Sequence, residues 1–198
     1  MAIFPTRQRR WTRLEYERLV EAGIFRSGER LELLAGHLVV REPQGSSHAT
    51  AIGLAEESLR ACFGPGWVVR VQMPIALDDE SEPEPDIAIV PGTWRDYELG
   101  HPSRPVLLVE VAEASLDADR GPKAALYARA GVPDYWIVNL VDRVLEVRRE
   151  PAASPDVPSG WRYRAVTSLR PGASIAPLSR PGVLIEVAAL LPRAAYAR

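Results

Sequence analysis

The chain has 198 residues, 46% of them hydrophobic and 25% charged, which is typical of a globular protein and predicts one domain. Its formal net charge of −2 excludes a protein that coats DNA through overall positive charge, although local nucleic-acid binding stays possible. The single cysteine, Cys62, excludes an intrachain disulfide and multi-cysteine metal sites. Without a long apolar run or a signal-peptide core, we expect a cytoplasmic protein with no membrane contact.

The first elements are signalled by capping and turn residues. Thr12 and Glu15 have the spacing of a capping box, which predicts a short helix ending near Gly23. Residues 30–40 predict a β-hairpin that turns at Ala35-Gly36, because apolar residues stand on both sides of this pair. Residues 46–63 then predict a second helix. The N-terminal region is therefore expected to run helix, hairpin, helix.

Two polar residues in this region have alternative interpretations. Glu32 lies among apolar neighbours on the first hairpin strand, where it is either an additional acid near a metal site or an outward-facing residue, and the pattern alone favours the second. His48 stands near the start of the second helix, where surface and capping roles are more common than ligation. Both remain candidates rather than assignments at this point.

Residues 67–71 predict a strand, and the acidic run 78–84 predicts a solvated turn rather than a Ca²⁺ loop. Residues 91–105 form a Pro- and Gly-containing connection that is long enough to serve as a lid or a binding loop. After residue 132 the pattern predicts a strand pair, an edge strand at 161–166, a short strand pair within 173–187 and a terminal helix at 186–196.

Two short apolar runs, 87–90 and 106–111, each carry one carboxylate at one end. Asp86 opens the first run and Glu110 nearly closes the second. If these runs pair as antiparallel strands, the two carboxylates meet at one edge of the sheet. Two close, desolvated carboxylates require a cation or a proton, and Mg²⁺ or Mn²⁺ is the cation that prefers oxygen ligands. This pair is the first indication of a metal site.

Lys123 is the only lysine of the chain, which uses arginine for its other basic residues. On a helix, its neighbours along one face are Leu126, Tyr127 and Ala130, so that Lys123 belongs to the apolar face. A lysine that points inward is costly unless it meets a carboxylate. We therefore expect Lys123 to face the carboxylates of the sheet.

The succession of helix, strands, Pro-Asp pair, strand ending in Glu and helix carrying Lys resembles the PD-(D/E)XK superfamily of phosphodiesterases. The run RGPKAALYARAGVPDYWIV at residues 120–138 looks more closely like the Uma family of endonucleases, and the hairpin and the His48 helix fit that family as well. The resemblance covers about residues 10–150 and leaves 151–198 as a C-terminal extension within a single domain, 1–198. It implies the α/β (α+β) class: a restriction-endonuclease-like core with a mixed central sheet, flanking helices and extra C-terminal strands.

The resemblance also implies a site for Mg²⁺-dependent cleavage of DNA phosphodiester bonds. Asp86 matches the motif Asp, Glu110 the motif Glu, and Lys123 the motif Lys, although the superfamily usually places that lysine two residues after the Glu, where this chain has Ala112. Glu32 matches an acidic residue supplied from the N-terminal region.

The expected metal ligands are Asp86, Glu110 and the backbone carbonyl of Val111, with Mg²⁺ or Mn²⁺ as the cofactor. His48 and Tyr127 are expected to lie behind these residues and to support them. DNA is the expected partner, and a homodimer is expected because cutting both strands of a duplex needs two sites.

Two alternatives stay open. The chain could be a catalytically silent module that binds nucleic acid or protein on a nuclease fold. Its substrate could also be RNA or a branched DNA junction instead of duplex DNA.

Overall fold

The computed structural model describes residues 8–26, 28–41 and 43–193. Its centre is a sheet of six strands: β3 (Trp67–Val71), β4 (Ile87–Pro91), β5 (Leu107–Ala112), β6 (Asp134–Asn139), β7 (Val144–Ala153) and β8 (Trp161–Leu169). These strands neighbour one another in numerical order, and every pair is antiparallel except β5 and β6, which run parallel. The predicted mixed sheet is confirmed.

Helices and two small sheets surround this centre. The α-helices are α1 (Arg13–Glu21), α2 (Ser46–Phe63), α3 (Leu116–Ala118) and α4 (Ala124–Arg129). The small sheets pair β1 (Leu31–Leu34) with β2 (His37–Val40) and β9 (Ser174–Ile175) with β10 (Ile185–Glu186). Thr12 and Glu15 form the predicted capping box at the start of α1. None of the helices in the described ranges has the length and apolar character that crossing a bilayer requires.

Both faces of the central sheet are covered. Side chains alternate along β4 and β5, so that Ile87, Ile89 and Val109 pack with α2 in one core cluster. Ala88 and Leu108 point to the opposite face and pack with α4 in a second cluster. This is why the two strands read as continuous apolar runs and not as alternating ones. Glu110 lies two residues after Leu108 on β5, so its side chain is on the face of the sheet that packs against α4.

The acidic loop 78–84 differs from the predicted solvated turn. Ser81 and Glu82 are buried, because residue 82 forms a β-bridge with Leu33 and so fastens the loop to β1. The side chain of Asp78 accepts a hydrogen bond from Arg129 on α4 at 2.7 Å. The loop is therefore part of the packed structure.

The predicted terminal helix is also wrong. A single 3-10 turn, Val187–Leu190, follows β10, and residues 191–193 are not helical, while 194–196 lie outside the described residues. The remaining C-terminal expectations hold, since β8 is an edge strand and β9 pairs with β10.

Asp134, at the start of β6, ties the C-terminal region to the sheet. Its fully buried carboxylate accepts hydrogen bonds from Arg149 at 2.9 Å, from the Trp136 indole at 2.8 Å and from the Leu178 backbone at 2.9 Å. Arg149 in turn donates to the carbonyl oxygen of Ala176 at 2.7 Å. A buried carboxylate is tolerated when it is paired in this way.

Glu82 makes stability depend on pH. Burial, together with the charge of Glu17, raises the pKa of Glu82 to about 7. Because this pKa lies above that of the unfolded chain, the protonated carboxyl stabilises the fold at low pH, and the contribution is lost as the pH rises from about 4.5 to about 7.

We expect Glu82→Gln to remove this loss. The free energy of unfolding of the variant, relative to the native chain, should rise by about 1–3 kcal/mol between pH 4.5 and 8, measured by urea denaturation. Glu80→Gln changes a partly exposed carboxylate of the same loop, paired with Arg10, and is the control. A pH dependence of Glu82→Gln that matches the native chain would contradict the expectation.

Candidate active site

Asp86 and Glu110 meet at the edge of the sheet, as the strand pattern predicts. Ile87 pairs with Val109 across β4 and β5, which brings Asp86 beside the end of β5. The backbone amide of Asp86 donates to Glu110 Oε2 at 3.3 Å, and the amide of Val111 donates to Asp86 Oδ2 at 2.8 Å. Each carboxylate is thus positioned by the backbone of the opposite strand.

Glu110 faces Lys123 and Tyr127, both of which come from the connection between β5 and β6. Lys123 Nζ lies 3.0 Å from Glu110 Oε1, and the Tyr127 hydroxyl donates to the same oxygen at 2.6 Å. The inward orientation expected for Lys123 is what the structure shows.

Glu32 is buried and reaches the same cluster, so the outward orientation favoured by its strand pattern is wrong. Only 2% of its surface is exposed. Its carboxylate lies 3.4 Å from Lys123 Nζ and 3.1 Å from Arg41 Nε. The hairpin is therefore a wall of the site, and β1 is covered on both faces, because Leu33 on the other face is buried as well.

Arg41 is a site residue that the sequence analysis missed. Its guanidinium donates to Asp86 Oδ1 at 2.8 Å and to the carbonyl oxygen of Glu84 at 2.6 Å, in addition to its ion pair with Glu32. The hairpin register could have indicated this role. Val39 pairs directly with Glu32, and Arg41 comes two residues after Val39, so Arg41 is expected on the same face of the hairpin as Glu32.

His48 and Gln72 complete the surroundings of Asp86. His48 Nε2 lies 3.3 Å from Asp86 Oδ2, and the Gln72 amide donates to Asp86 Oδ1 at 3.2 Å. The expectation that His48 and Tyr127 lie behind the acidic residues agrees with these positions, whereas Gln72 was not anticipated.

Asp119 is a second carboxylate that the sequence analysis did not single out. It is 1% exposed, accepts a hydrogen bond from Ser115 at 2.6 Å and lines the same cavity as Glu110 and Lys123. Its position four residues before Lys123, about one helical turn, was the available signal.

A π-helical turn, Asp119–Lys123, interrupts the predicted helix between α3 and α4. Pro122 lies inside this turn, where its ring and its missing N–H disfavour regular α-helical hydrogen bonding. Such turns often occur at functional sites. Here the turn carries both Asp119 and Lys123.

The ionisation of the cluster follows from burial and pairing. Burial raises the pKa of Glu32, and burial with the charge of Glu110 raises the pKa of Asp119 to about 7. Burial would also raise the pKa of Asp86, but hydrogen bonds from His48 and the Val111 amide, with the charge of Arg41, lower it to about 2. Asp86 is therefore a permanent anion.

Lys123 is a permanent cation. Burial favours its neutral form, but the charges of Glu110, Glu32 and Asp119 outweigh burial and raise its pKa. In this protein Lys123 is thus an ammonium donor and not a free base.

One cavity of about 660 Å³ is lined by most of the site residues, namely Glu32, Arg41, His48, Asp86, Glu110, Asp119 and Lys123. The walls are contributed by the hairpin and the segment after it and by the region from Glu113 to Leu126, while Asp86, Glu110 and Val111 lie between them. The connection 91–105, which the sequence analysis considered as a lid, is not among the residues that line this cavity.

The profile of the Uma2 family, described as "Putative restriction endonuclease", matches residues 14–187. The chain belongs to the Uma2 family. A crystal structure described as that of "a putative nuclease belonging to DUF820 from Anabaena variabilis ATCC 29413" superposes with a TM-score of 0.67 at 14% identity, covering 90% of this chain and 96% of that chain. This likeness shows the same fold. No curated protein matches the chain.

The Uma2 site contains more buried carboxyl groups than cations. Asp86, Glu110, Glu32 and Asp119 are at most 2% exposed, and the cations that contact them are Arg41 and Lys123. Burial is the largest cause of the raised pKa values of Glu32 and Asp119, the charge of Glu110 adds to it, and the nearby cations do not fully offset it.

A hard divalent cation fits this excess and the oxygen-rich donors. In the described ranges, no three Asp, Glu, His or Cys side chains form a ready-made metal cage. Mg²⁺ does not require one, because it binds through one or two carboxylates and completes its shell with water and substrate phosphate. The residues of the Uma2 site are therefore compatible with Mg²⁺ or Mn²⁺.

We expect Tyr127→Phe to lower the free energy of unfolding by about 1.5–3 kcal/mol, because its hydroxyl donates to the Glu110 carboxylate. The matched control is Tyr163→Phe, whose buried hydroxyl donates to the neutral carbonyl of Val132 at 2.9 Å, with an expected loss of about 0.5–1.5 kcal/mol. Urea denaturation measures both. Equal losses in the free energy of unfolding would show that the negative charge of Glu110 does not strengthen its hydrogen bond with Tyr127.

Proposed function

We propose that this protein is a Mg²⁺- or Mn²⁺-dependent endonuclease that hydrolyses DNA phosphodiester bonds. The observation that carries the proposal is the convergence of Asp86, Glu110 and Lys123 in one cavity. Membership of the Uma2 family supports nuclease activity, and the excess negative charge supports a divalent cation as cofactor.

Asp86, Glu110 and the carbonyl of Val111 would hold the metal. When bound, the metal supplies positive charge that lowers the pKa of a nearby water and neutralises the phosphate. Asp86 suits this role because its low pKa keeps it ionised over the whole physiological range. The Val111 amide donates to one of its carboxylate oxygens and Arg41 donates to the other, so that the orientation of the carboxylate is fixed before any ligand arrives.

Lys123 supplies a donor beside the reacting phosphate. As an ammonium, it can orient the attacking water or stabilise the charge that develops on the phosphoryl oxygens. Glu32 and Glu110 hold Nζ from two sides, which limits the positions that the flexible side chain adopts. Glu32 therefore acts on the chemistry through Lys123.

The start of α2 adds a place for phosphate in the lining of the cavity. Gly45 is the N-cap and provides no capping side chain, the first turn contains no acidic residue, and both Gly45 and His48 line the cavity. Backbone N–H groups at such a helix start attract anions. This arrangement is consistent with a phosphodiester that approaches from the α2 side.

The competing function is a catalytically silent binding module. The observation that favours it is the complete pairing of Asp86, whose two oxygens already contact Arg41, Gln72, Val111 and His48. A metal would have to displace some of these partners. Metal binding is therefore the property that separates the two functions.

We expect calorimetric titration of the native protein with Mn²⁺ and Mg²⁺ to show saturable binding that Asp86→Asn abolishes, because the variant lacks the permanent anion. Glu98→Gln, which removes an exposed carboxylate, should bind the metal normally. Absence of binding by the native protein, even with a DNA oligonucleotide present, would favour the silent module and leave Lys123 and Glu110 as a structural ion pair.

We expect Lys123→Met to reduce DNA cleavage by at least about a hundredfold while metal binding persists, because the donor to the phosphate is lost and the ligands remain. Arg129→Met, on the neighbouring helix, removes a cation that pairs with Asp78 and is the control. Cleavage assays, calorimetry and circular dichroism are compared for all three proteins. Native-like cleavage by Lys123→Met would remove Lys123 from the mechanism.

A further inference from the structure

The cavity above the acidic cluster has walls that are mainly apolar. Val39 contributes to the hairpin wall, and Pro43 follows it. The opposite wall contains Ala118, Pro122 and Leu126 from the α3–α4 region. Because Val39 pairs directly with Glu32, its side chain is on the face that carries the acid. An apolar space therefore adjoins the charged groups, although phosphodiester hydrolysis alone does not need one.

The charged groups are recessed. Asp86 is 1% exposed, and Glu110 and Glu32 are 2% exposed. A phosphate reaches them only if its strand enters the cavity. The volume of about 660 Å³ lies in the range of pockets that enclose a ligand of drug size, which is the scale of one nucleotide and far below that of a duplex.

The charge of the lining also disfavours a duplex. Five carboxylates line the cavity (Glu32, Asp86, Glu110, Glu113 and Asp119), against two permanent cations, Arg41 and Lys123. Duplex affinity depends on cations that neutralise several phosphates of both strands. Among the residues that the structure describes, the lining has no lysine or arginine beyond the two that are already paired with its carboxylates. Beyond the single phosphate that a bound cation would neutralise, affinity must therefore come from contacts other than phosphate neutralisation.

We propose that the cavity seats one unstacked base of a single DNA strand, next to the phosphodiester to be cut. The proposal rests on the nuclease function proposed above and names its substrate as single-stranded DNA. The base lies between Val39 on one wall and Leu126 with Pro122 on the other, since apolar side chains can sandwich a base that has left its stack. Its neighbouring phosphate then reaches the recessed carboxylates.

A single strand also changes the expected assembly. Cleavage of one strand needs one site, so this substrate does not require the homodimer that duplex cutting would require.

The test measures binding by fluorescence anisotropy, with Ca²⁺ as a substitute cation. Three probes of equal length are compared: oligothymidylate, the same strand made entirely of abasic nucleotides, and a duplex of oligothymidylate with oligoadenylate. We expect oligothymidylate to bind at least about tenfold more tightly than the abasic strand, which has the same phosphates and no bases. We also expect it to bind more tightly than the duplex, with a weak dependence on salt.

Two valine variants link this preference to the cavity. Val39→Ser should weaken oligothymidylate binding by at least about threefold and leave abasic-strand binding unchanged, because it removes apolar contact with the base. Val166→Ser changes a valine of similar exposure on β8, outside the cavity, and should have no effect. Equal binding of oligothymidylate and the abasic strand, or an equal effect of both variants, would overturn the inference.

A cleavage assay with Mg²⁺ and Mn²⁺ separates this inference from the proposed function. Cleavage of the single strand in preference to the duplex supports both. Cleavage of the duplex at an equal or higher rate preserves the nuclease function and overturns the single-strand inference. If neither is cleaved, the nuclease function fails, and the inference fails with it as a statement about substrate even when the probes bind as expected.

Discussion

The buried ammonium of Lys123 is the constraint on which the site depends. Removing charges from water costs several kcal/mol for each ion, and here that cost is offset by direct contact with Glu110 and Glu32. The contact draws together three parts of the chain: the hairpin, the end of β5 and the π-helical turn. Arg41 repeats the arrangement on the other side of Glu32. The acidic residues still outnumber these cations, and burial raises the pKa of two of them, Glu32 and Asp119.

The central features of this site could be predicted because they depend on local patterns. Asp86 and Glu110 stand at the ends of apolar runs that are bounded by Pro and Gly, and antiparallel pairing of short neighbouring strands brings such ends together. Lys123 could be placed because helical spacing puts it with Leu126 and Tyr127. The mixed sheet was expected from the family resemblance, and the structure gives its physical reason, since α4 and its preceding segments supply the crossover that a parallel pair requires.

Other features depend on tertiary packing that no local pattern contains. The alternation along β1 puts Glu32 and Leu33 on opposite faces, and tertiary contacts bury both, since Glu32 meets Lys123 and Leu33 forms a bridge with Glu82. Arg41 lies 45 positions from Asp86, and only the fold reveals that they touch. Asp119 precedes Lys123 by about one helical turn, but this spacing alone does not show that both side chains line the cavity of Glu110. Glu82 was misjudged for the same reason, because its burial follows from a bridge to β1.

The fully buried carboxylate of Asp134 has a consequence for the architecture of the C-terminal quarter. The sequence suggests a boundary near residue 150, yet β7 runs through that position to Ala153, and the bonds from Asp134 and Arg149 reach the backbone at 176–178. A protease that cut the connection between β7 and β8 would therefore sever the polypeptide without releasing a fragment. The nicked protein should travel as one particle in gel filtration and separate into two pieces only when denatured.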